Sequence, residues 1–397
     1  MATSGSESHP LRIYLDQWVF SDIAKAIARG DQTSVEVVVY HHLTSLVAAG
    51  RAQVYFSTIH IAETMGFGNL GSSVVAAHCD VVDTLTEGHC IRDPRHLHRA
   101  ELELALADLF TFPTTYSRGE YAYGRGMDSI DADVFTHDAT SLREEFGPRL
   151  EEVERRGLNR HDVMRQIVSD QYVANFSQQF PSGRFSWTRD SLVKLFTGTD
   201  EECAAIWRGF SDGVTFKTLV THYGRVRPGI ASWGQLFDEG GASWVERLGG
   251  MQRLEPLRAV LEGRAPTWDR EAADAQGEAY LASCRGEIEM SASKHGFDPE
   301  IAVQRLREGG FRRLPYTHAV RLWMQSYLSQ HKGAERPRRP KLNDISDFYH
   351  CANAAYVDIF VTEAFAAEIL RPLAPAFGVR IVRSLGELRR ELPGESS

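Results

Sequence analysis

Two stretches of this chain, separated by more than half its length, carry the same strand-then-helix pattern, and that pairing constrains the fold more than any other feature. The first stretch opens with Leu11-Arg12-Ile13-Tyr14-Leu15, an apolar run that ends at Asp16. Helical spacing follows through Ile23 and Ile27 and again from Val37 to Val47. Val54-Tyr55-Phe56 is a second strand-like run ending at Ser57-Thr58, and the next helix carries Ile59, Ile61, Ala62 and Glu63. Near the other end, Asn343-Asp344 opens a helix running to about Ala355. Ile359-Phe360-Val361-Thr362 then reads as a strand buried on both faces, and Val379 to Val382 as a short one. Ser384 and Glu387 have capping-box spacing, which starts a last helix. Strands alternating with helices favour a parallel sheet. The expected fold class is therefore α/β, with residues 11–93 and 334–397 as the two halves of one domain of ordinary size.

Between them, residues 94–333 read as an almost entirely helical insert, with periodic apolar segments at Leu102 to Phe110, Val163 to Tyr172, Trp244 to Leu261 and Ala319 to Leu328. Trp187, Trp207, Trp233, Trp244, Trp268 and Trp323 fall here and read first as core, second as base-stacking groups. Residues 1–10 are polar, lack the apolar stretch of a signal peptide and are expected to be a flexible tail.

Of the 397 residues, 43% are hydrophobic and 24% charged, which excludes wholesale disorder, and no apolar run reaches membrane-spanning length. Cys79, Cys90, Cys203, Cys284 and Cys351 are few, odd in number and scattered, as expected of reduced thiols in a cytoplasmic protein. The formal charge of −9 leaves nucleic-acid contacts to local patches. One such patch is the linker His331 to Lys341, where Lys332, Arg336, Arg338, Arg339 and Lys341 face Glu335 alone.

Parallel α/β sheets bind ligands at the carboxyl ends of their strands. Asp16 ends the first strand, Glu63 lies in the helix after the second, and Glu363 follows the third. Asp344 and Asp347 share a helix face just before that third strand. If the strands are neighbours, these acids converge. Clustered carboxylates raise one another's pKa, and a hard divalent cation, Mg²⁺ or Mn²⁺, removes the conflict. Taken singly, Asp16 also fits a turn residue, Asp344 a helix cap, Asp347 a residue favourable to the helix dipole, and Glu63 a solvated helix position. Asp358 precedes its strand and belongs to the other end of the sheet.

Tyr14 to Trp18, Ser57 to Thr64, Asn343 to His350 and Tyr356 to Glu363 together resemble the successive signatures of PIN-like domains. The resemblance covers the two terminal parts, under half the chain. It implies a three-layer α/β/α fold with a central parallel sheet. It also implies a metal-dependent nuclease acting mostly on RNA, with single-stranded DNA as a further substrate. Asp16 matches the first acid of the family, Glu63 the second, and Asp347 the third, with Asp344 beside it. Glu363 stands where an aspartate is usual. The resemblance further implies that Asp16, Asp344, Asp347 and Glu363 hold Mg²⁺ or Mn²⁺ and that Glu63 and Glu363 complete the shell or orient a water. Cleavage would leave a 5′-phosphate and a 3′-hydroxyl. The long insert is atypical of compact members and suits a substrate-selecting, autoinhibitory or regulatory-partner-binding module. The alternative expectation is a non-catalytic PIN-like module that binds nucleic acid or protein.

Other signals point elsewhere. Gly66, Gly68 and Gly71 match GxGxxG, but a helix rather than a strand precedes them, so a glycine-rich helix stop is expected instead of a dinucleotide site. His137-Asp138 and His161-Asp162 read as turns or helix starts. His96, His98 and Cys90 match no standard zinc spacing. Tyr116 to Phe135 reads as a long loop, with single-strand binding the second reading, and Asp128, Asp131 and Asp133 do not follow calcium-loop spacing.

Overall fold

In the structure, a computed structural model, β1 (Leu11–Leu15) lies between β2 (Ala52–Tyr55) and β5 (Ile359–Val361), and β6 (Arg380–Val382) completes the sheet. The strand order is β2-β1-β5-β6 and every pairing is parallel. Ile13 is in register with Ile359, so the head and tail of the chain form one sheet. The structure describes residues 9–66, 72–130, 147–223, 270–309, 311–333, 343–372 and 374–394. Expectations for residues 1–8, for Gly68 and Gly71, for Asp131, Asp133 and His137-Asp138, for Trp233, Trp244 and Trp268, and for the basic linker from 334 lie outside them.

Alternation along the interior strands sorts the core into two layers. Ile13 and Leu15 of β1, with Ile359 and Val361 of β5, belong to one buried cluster. Their helical partners there are α1 (Gln17–Ala28), α2 (Val35–Ala48), α4 (Ser73–Thr86) and a C-terminal helix, Leu385–Glu391. Tyr14, Tyr55 and Phe360 point the other way, into a second cluster. Successive residues of a strand face opposite sides, so burial of both sets requires helices on both faces. The short α3 (Thr58–Met65) follows β2 and ends at Gly66, which caps it as a helix stop.

The insert does not stand apart from this body. Its first helix is α5 (Pro94–Phe110), with Asp93 as N-cap. Leu192 and Leu195 of α6 (Arg189–Thr197), with Trp207 and Phe210 of α7 (Asp200–Gly213), join the first cluster. Trp323, Met324 and Tyr327 of the helix Pro315–Gly333 form the middle of the second, so the described tryptophans 187, 207 and 323 are core. A third cluster is the insert's own: Leu102 and Leu106 of α5 pack on α8 (Arg270–Ser283), α9 (Arg285–His295) and α10 (Pro299–Glu308). In chain order the later helices are α11 (Pro315–Gly333), α12 (Asn343–Ala352), α13 (Ala364–Leu370) and α14 (Leu385–Glu391). The 94–333 segment is not purely helical: β4 (Tyr123–Arg125) pairs antiparallel with β3 (His89–Ile91), and a 3-10 turn spans Gly126–Ser129. This part of the expected Tyr116 to Phe135 loop is thus fixed by strand pairing too short for periodicity to reveal. His161-Asp162 starts a helix, with Asn159 as its N-cap. Among the described residues no helix is long and apolar enough to cross a membrane.

Candidate active site

The parallel ladder continues one step past the strands and sets the geometry of the acids. The Asp16 amide donates to the Val361 carbonyl at 3.0 Å, and the Thr362 amide to the Val382 carbonyl at 2.9 Å. Asp16 and Glu363 are therefore adjacent at the carboxyl end of the sheet, as the N-caps of α1 and α13 with nearly identical extended backbones. Asp358 sits at the opposite end, where its carboxylate accepts from the Arg12 amide at 2.8 Å. Glu63 reaches the same end as Asp16 from α3, and Asp347 from α12.

Asp16, Glu63, Asp347 and Glu363 line one recess of about 530 Å³, together with Gln17, Trp18, Lys25 and His78. Asp16 is 5% exposed, and its Oδ2 accepts from the Thr362 hydroxyl at 2.8 Å. Burial raises its pKa, opposed by His350 and reinforced by Glu63. Asp347 is pushed well up, first by burial and then by Asp16, with Glu363 and Asp344 adding to it. Like charges crowded out of water produce this pattern.

Asp344 is not brought to the recess. It is fully buried, and its Oδ2 accepts from the Tyr327 hydroxyl at 2.9 Å. It faces α11 rather than the opening, so of the two expected ligands on α12 only Asp347, one turn further along, lines the recess. The reason is register: the stripe that meets the other acids begins at Asp347, and Asp344 falls under α11.

His350 continues that stripe and is the site residue that the sequence reading left without a role. It is 1% exposed. Its Nε2–H donates to Glu63 Oε2 at 2.8 Å and lies 4.0 Å from Asp16 Oδ1. Burial alone would lower its pKa, but Glu63 and Asp16 outweigh that and lift it to about 9. The imidazolium's Nδ1–H is 2.7 Å from the Tyr14 hydroxyl oxygen, which also accepts from Asn353 at 3.1 Å and stands 2.7 Å from Ser57 Oγ. His60 closes the network as a neutral ring: its Nδ1 accepts from the Ser57 amide at 3.1 Å and its Nε2–H donates to the Leu15 carbonyl at 2.8 Å. Burial, then His350, holds the His60 pKa well below its ordinary value. The spacing of three from Asp344 to Asp347 to His350 was the available signal, since one more step along a helix face lands on His350.

The opposite wall is uncharged apart from Lys25. Gln17 Nε2 donates to Thr64 Oγ1 at 2.8 Å and lies 3.2 Å from His78 Nε2. Burial lowers the His78 pKa to about 4, so this ring is neutral at physiological pH. His96, His98 and Cys90 do not gather: His96 meets Arg92, His98 meets Thr317, and Cys90 is in the core. Among the described residues no three His, Cys, Asp or Glu side chains are arranged to hold a metal ion as they stand. No protein-family model, curated protein or solved structure matches the chain.

Proposed function

We propose that this chain is a PIN-like, divalent-metal-dependent nuclease acting on RNA. One observation carries the reading: strands from the head and tail of the chain share a parallel sheet, and Asp16, Glu63, Asp347 and Glu363 consequently line one recess at its carboxyl end.

The chemistry of the donors suits the cation. All four side chains offer hard carboxylate oxygens, the ligands that Mg²⁺ and Mn²⁺ prefer. Four carboxylates also exceed the single charge that His350 supplies; burial first, and the neighbouring acids after it, raise the pKa values of Asp16 and Asp347. Asp16, Asp347 and Glu363 would hold the ion. When bound, it would supply the positive charge that lets a phosphodiester and an attacking water approach these acids. The chain's own groups do the rest. Thr362 fixes the Asp16 carboxylate, and His350, anchored by Tyr14, fixes Glu63 for orienting a water. Trp18 and the Gln17, Ser21 and His78 wall offer stacking and hydrogen bonding to the nucleotide beside the scissile bond. Glu363, one methylene longer than an aspartate, is exposed and reaches in from the rim.

His350 also supports a second reading, a non-catalytic PIN-like module: a buried imidazolium between Asp16 and Glu63 is an internal counter-ion for part of the cluster. One experiment separates the two. Wild type and Asp16→Asn are incubated with labelled single-stranded RNA and DNA, with Mn²⁺ or with chelator. Cutting of RNA that needs Mn²⁺ and disappears in the variant supports the nuclease. Retained RNA binding without cutting supports the module and overturns the nuclease.

A further inference from the structure

The acid recess has a second half that carries no carboxylate. Trp18, Ser21 and Ala24 form a stripe along α1, directly after Asp16, and Val74 and His78 line the same recess from α4. Spacings of three and four put each set on one helix face. Lys25 is the only lysine or arginine among the described lining residues, and Asp22 pairs with it at 3.0 Å. His78 is neutral, because burial holds its pKa near 4. A phosphate therefore finds no spare counter-charge in this half. An uncharged flat group finds the Trp18 indole to lie on, with Ala24 and Val74 to pack against.

The hydrogen bonds behind that surface run in one direction. Gln17, 7% exposed, gives an N–H to Thr64 Oγ1 at 2.8 Å, and its Nε2 stands 3.2 Å from His78 Nε2. An amide nitrogen carries only donors, so His78 Nε2 is the acceptor of the ring; it also lies 3.3 Å from the Thr64 hydroxyl. Turning the carboxamide over would strand two N–H groups in place of the one carbonyl oxygen now left without a partner, which is the costlier arrangement. A neutral ring whose Nε2 accepts carries its proton on Nδ1. That N–H faces Ser21 Oγ at 3.4 Å, the one side-chain hydrogen bond of Ser21 among the described residues. Ser21 accepts there, so its own O–H is left to give, and the residue is half-buried on the recess wall.

We propose that this half of the recess seats the base of the nucleotide beside the scissile bond, stacked on Trp18 and read by the Ser21 hydroxyl, and that it selects uracil over cytosine. The inference rests on the nuclease reading, which puts the phosphodiester at the acids. The sugar then lies between phosphate and base, and the edge that arrives at α1 is the one farthest from the sugar. That edge carries the 4-carbonyl in uracil and the 4-amino group in cytosine, on rings of the same size. The carbonyl accepts from Ser21, whereas the amino group meets it donor to donor. Ser21 is the specificity-determining residue, and Gln17, Thr64 and His78 are positioning residues that fix its polarity.

The probes are labelled five-nucleotide oligomers of uridine and of cytidine, read in two ways: cleavage by the wild type with Mn²⁺, and binding to Asp16→Asn with Mn²⁺ by fluorescence anisotropy. Both readouts should favour uridine about tenfold. Ser21→Ala, made in each background, should bring the ratio to within about twofold of one. Ser21→Thr keeps the hydroxyl and should restore most of the preference, which a merely structural role for Ser21 would not predict. No cutting, with the uridine preference intact in binding and lost in Ser21→Ala, would sink the nuclease reading and leave the base site in a non-catalytic module. Cutting that treats the two oligomers alike, or a preference that survives Ser21→Ala, would overturn this inference and leave the nuclease reading standing. Failure to bind or cut either oligomer would overturn both.

Discussion

Glu101 and the acid recess both bury carboxylates, and they handle the problem in opposite ways. Glu101 on α5 is 1% exposed and surrounded by neutral donors. Its Oε1 accepts from the Tyr356 hydroxyl, from the Tyr316 amide at 2.9 Å at the start of α11, and from the Tyr121 hydroxyl at 3.3 Å. At the sheet's carboxyl end, four acids face one another across an open recess with His350 as their internal cation. The first arrangement gathers three donors on one oxygen of a single carboxyl and ties the insert to the tail half of the chain. The second concentrates charge of one sign where solvent and ligands enter. Stability alone gives no reason to gather acids in this way, whereas a site that must attract a cation does.

The largest effect that tests this contrast is Asp16→Asn. Metal-dependent RNA cleavage should fall on the order of a thousandfold, while the melting temperature holds or rises. Removing a charge that burial and Glu63 already disfavour relieves repulsion, and the asparagine oxygen still accepts from Thr362. A marked loss of stability in this variant would make the acid cluster a structural feature like Glu101 and break the contrast.

Next comes pH. The Glu101 carboxyl has its pKa raised from 4.5 in the unfolded chain to about 8 in the fold, so folding takes up a proton between those values. Its contribution to stability is complete below pH 4.5 and is lost as pH rises through 8. This amounts to on the order of 5 kcal/mol over the window. Stability against urea measured from pH 5 to 9 should decline in wild type and run flatter in Glu101→Gln; parallel profiles would remove Glu101 as the cause.

Glu101→Ala should cost about 3 kcal/mol, because the Tyr356 hydroxyl and the Tyr316 amide lose a buried acceptor. Protein that remains folded should cleave at the wild-type rate, and a cleavage defect beyond the folded fraction would show the two sites to be coupled. The smallest effect belongs to Tyr327→Phe. Loss of its hydrogen bond to Asp344 should lower stability by about 1 kcal/mol, and cleavage should stay within twofold if Asp344 supports α12 from behind.

Much of the fold was legible because it rests on local pattern. The apolar run 11–15, the fully buried run 359–361 and the cap at Ser384 need no distant information to be recognised. Asp16 and Glu363 were legible for a related reason, since strand ends in a parallel sheet are fixed once the strands are, while Glu63 and Asp347 sit on the helices beside them. What local pattern could not carry was tertiary in origin. Asp344 and Asp347 look equivalent along the sequence, and only α11, packed over Asp344 by Tyr327, separates them. His350 looks like any histidine near a helix end until Tyr14 and Glu63 take its two nitrogens. The pairing of β3 with β4 joins three-residue strands too short to alternate detectably. The insert's helices were visible, but their amphipathic faces do not say that α6, α7 and α11 close over the sheet rather than on one another.

The hydrogen bond from Thr362 to Asp16 spans 346 positions of chain. During synthesis the first half of the sheet leaves the ribosome with one side of β1 unpaired, and its neighbour β5 arrives only after some 340 further residues. At about 5–20 residues per second, that is a delay of roughly 20 to 70 seconds. Through that interval the nascent polypeptide carries Asp16 and Glu63 but neither Asp347 nor Glu363. On the proposed nuclease reading, the chain would be inert towards the message it is read from until β5 and the turn that follows it emerge.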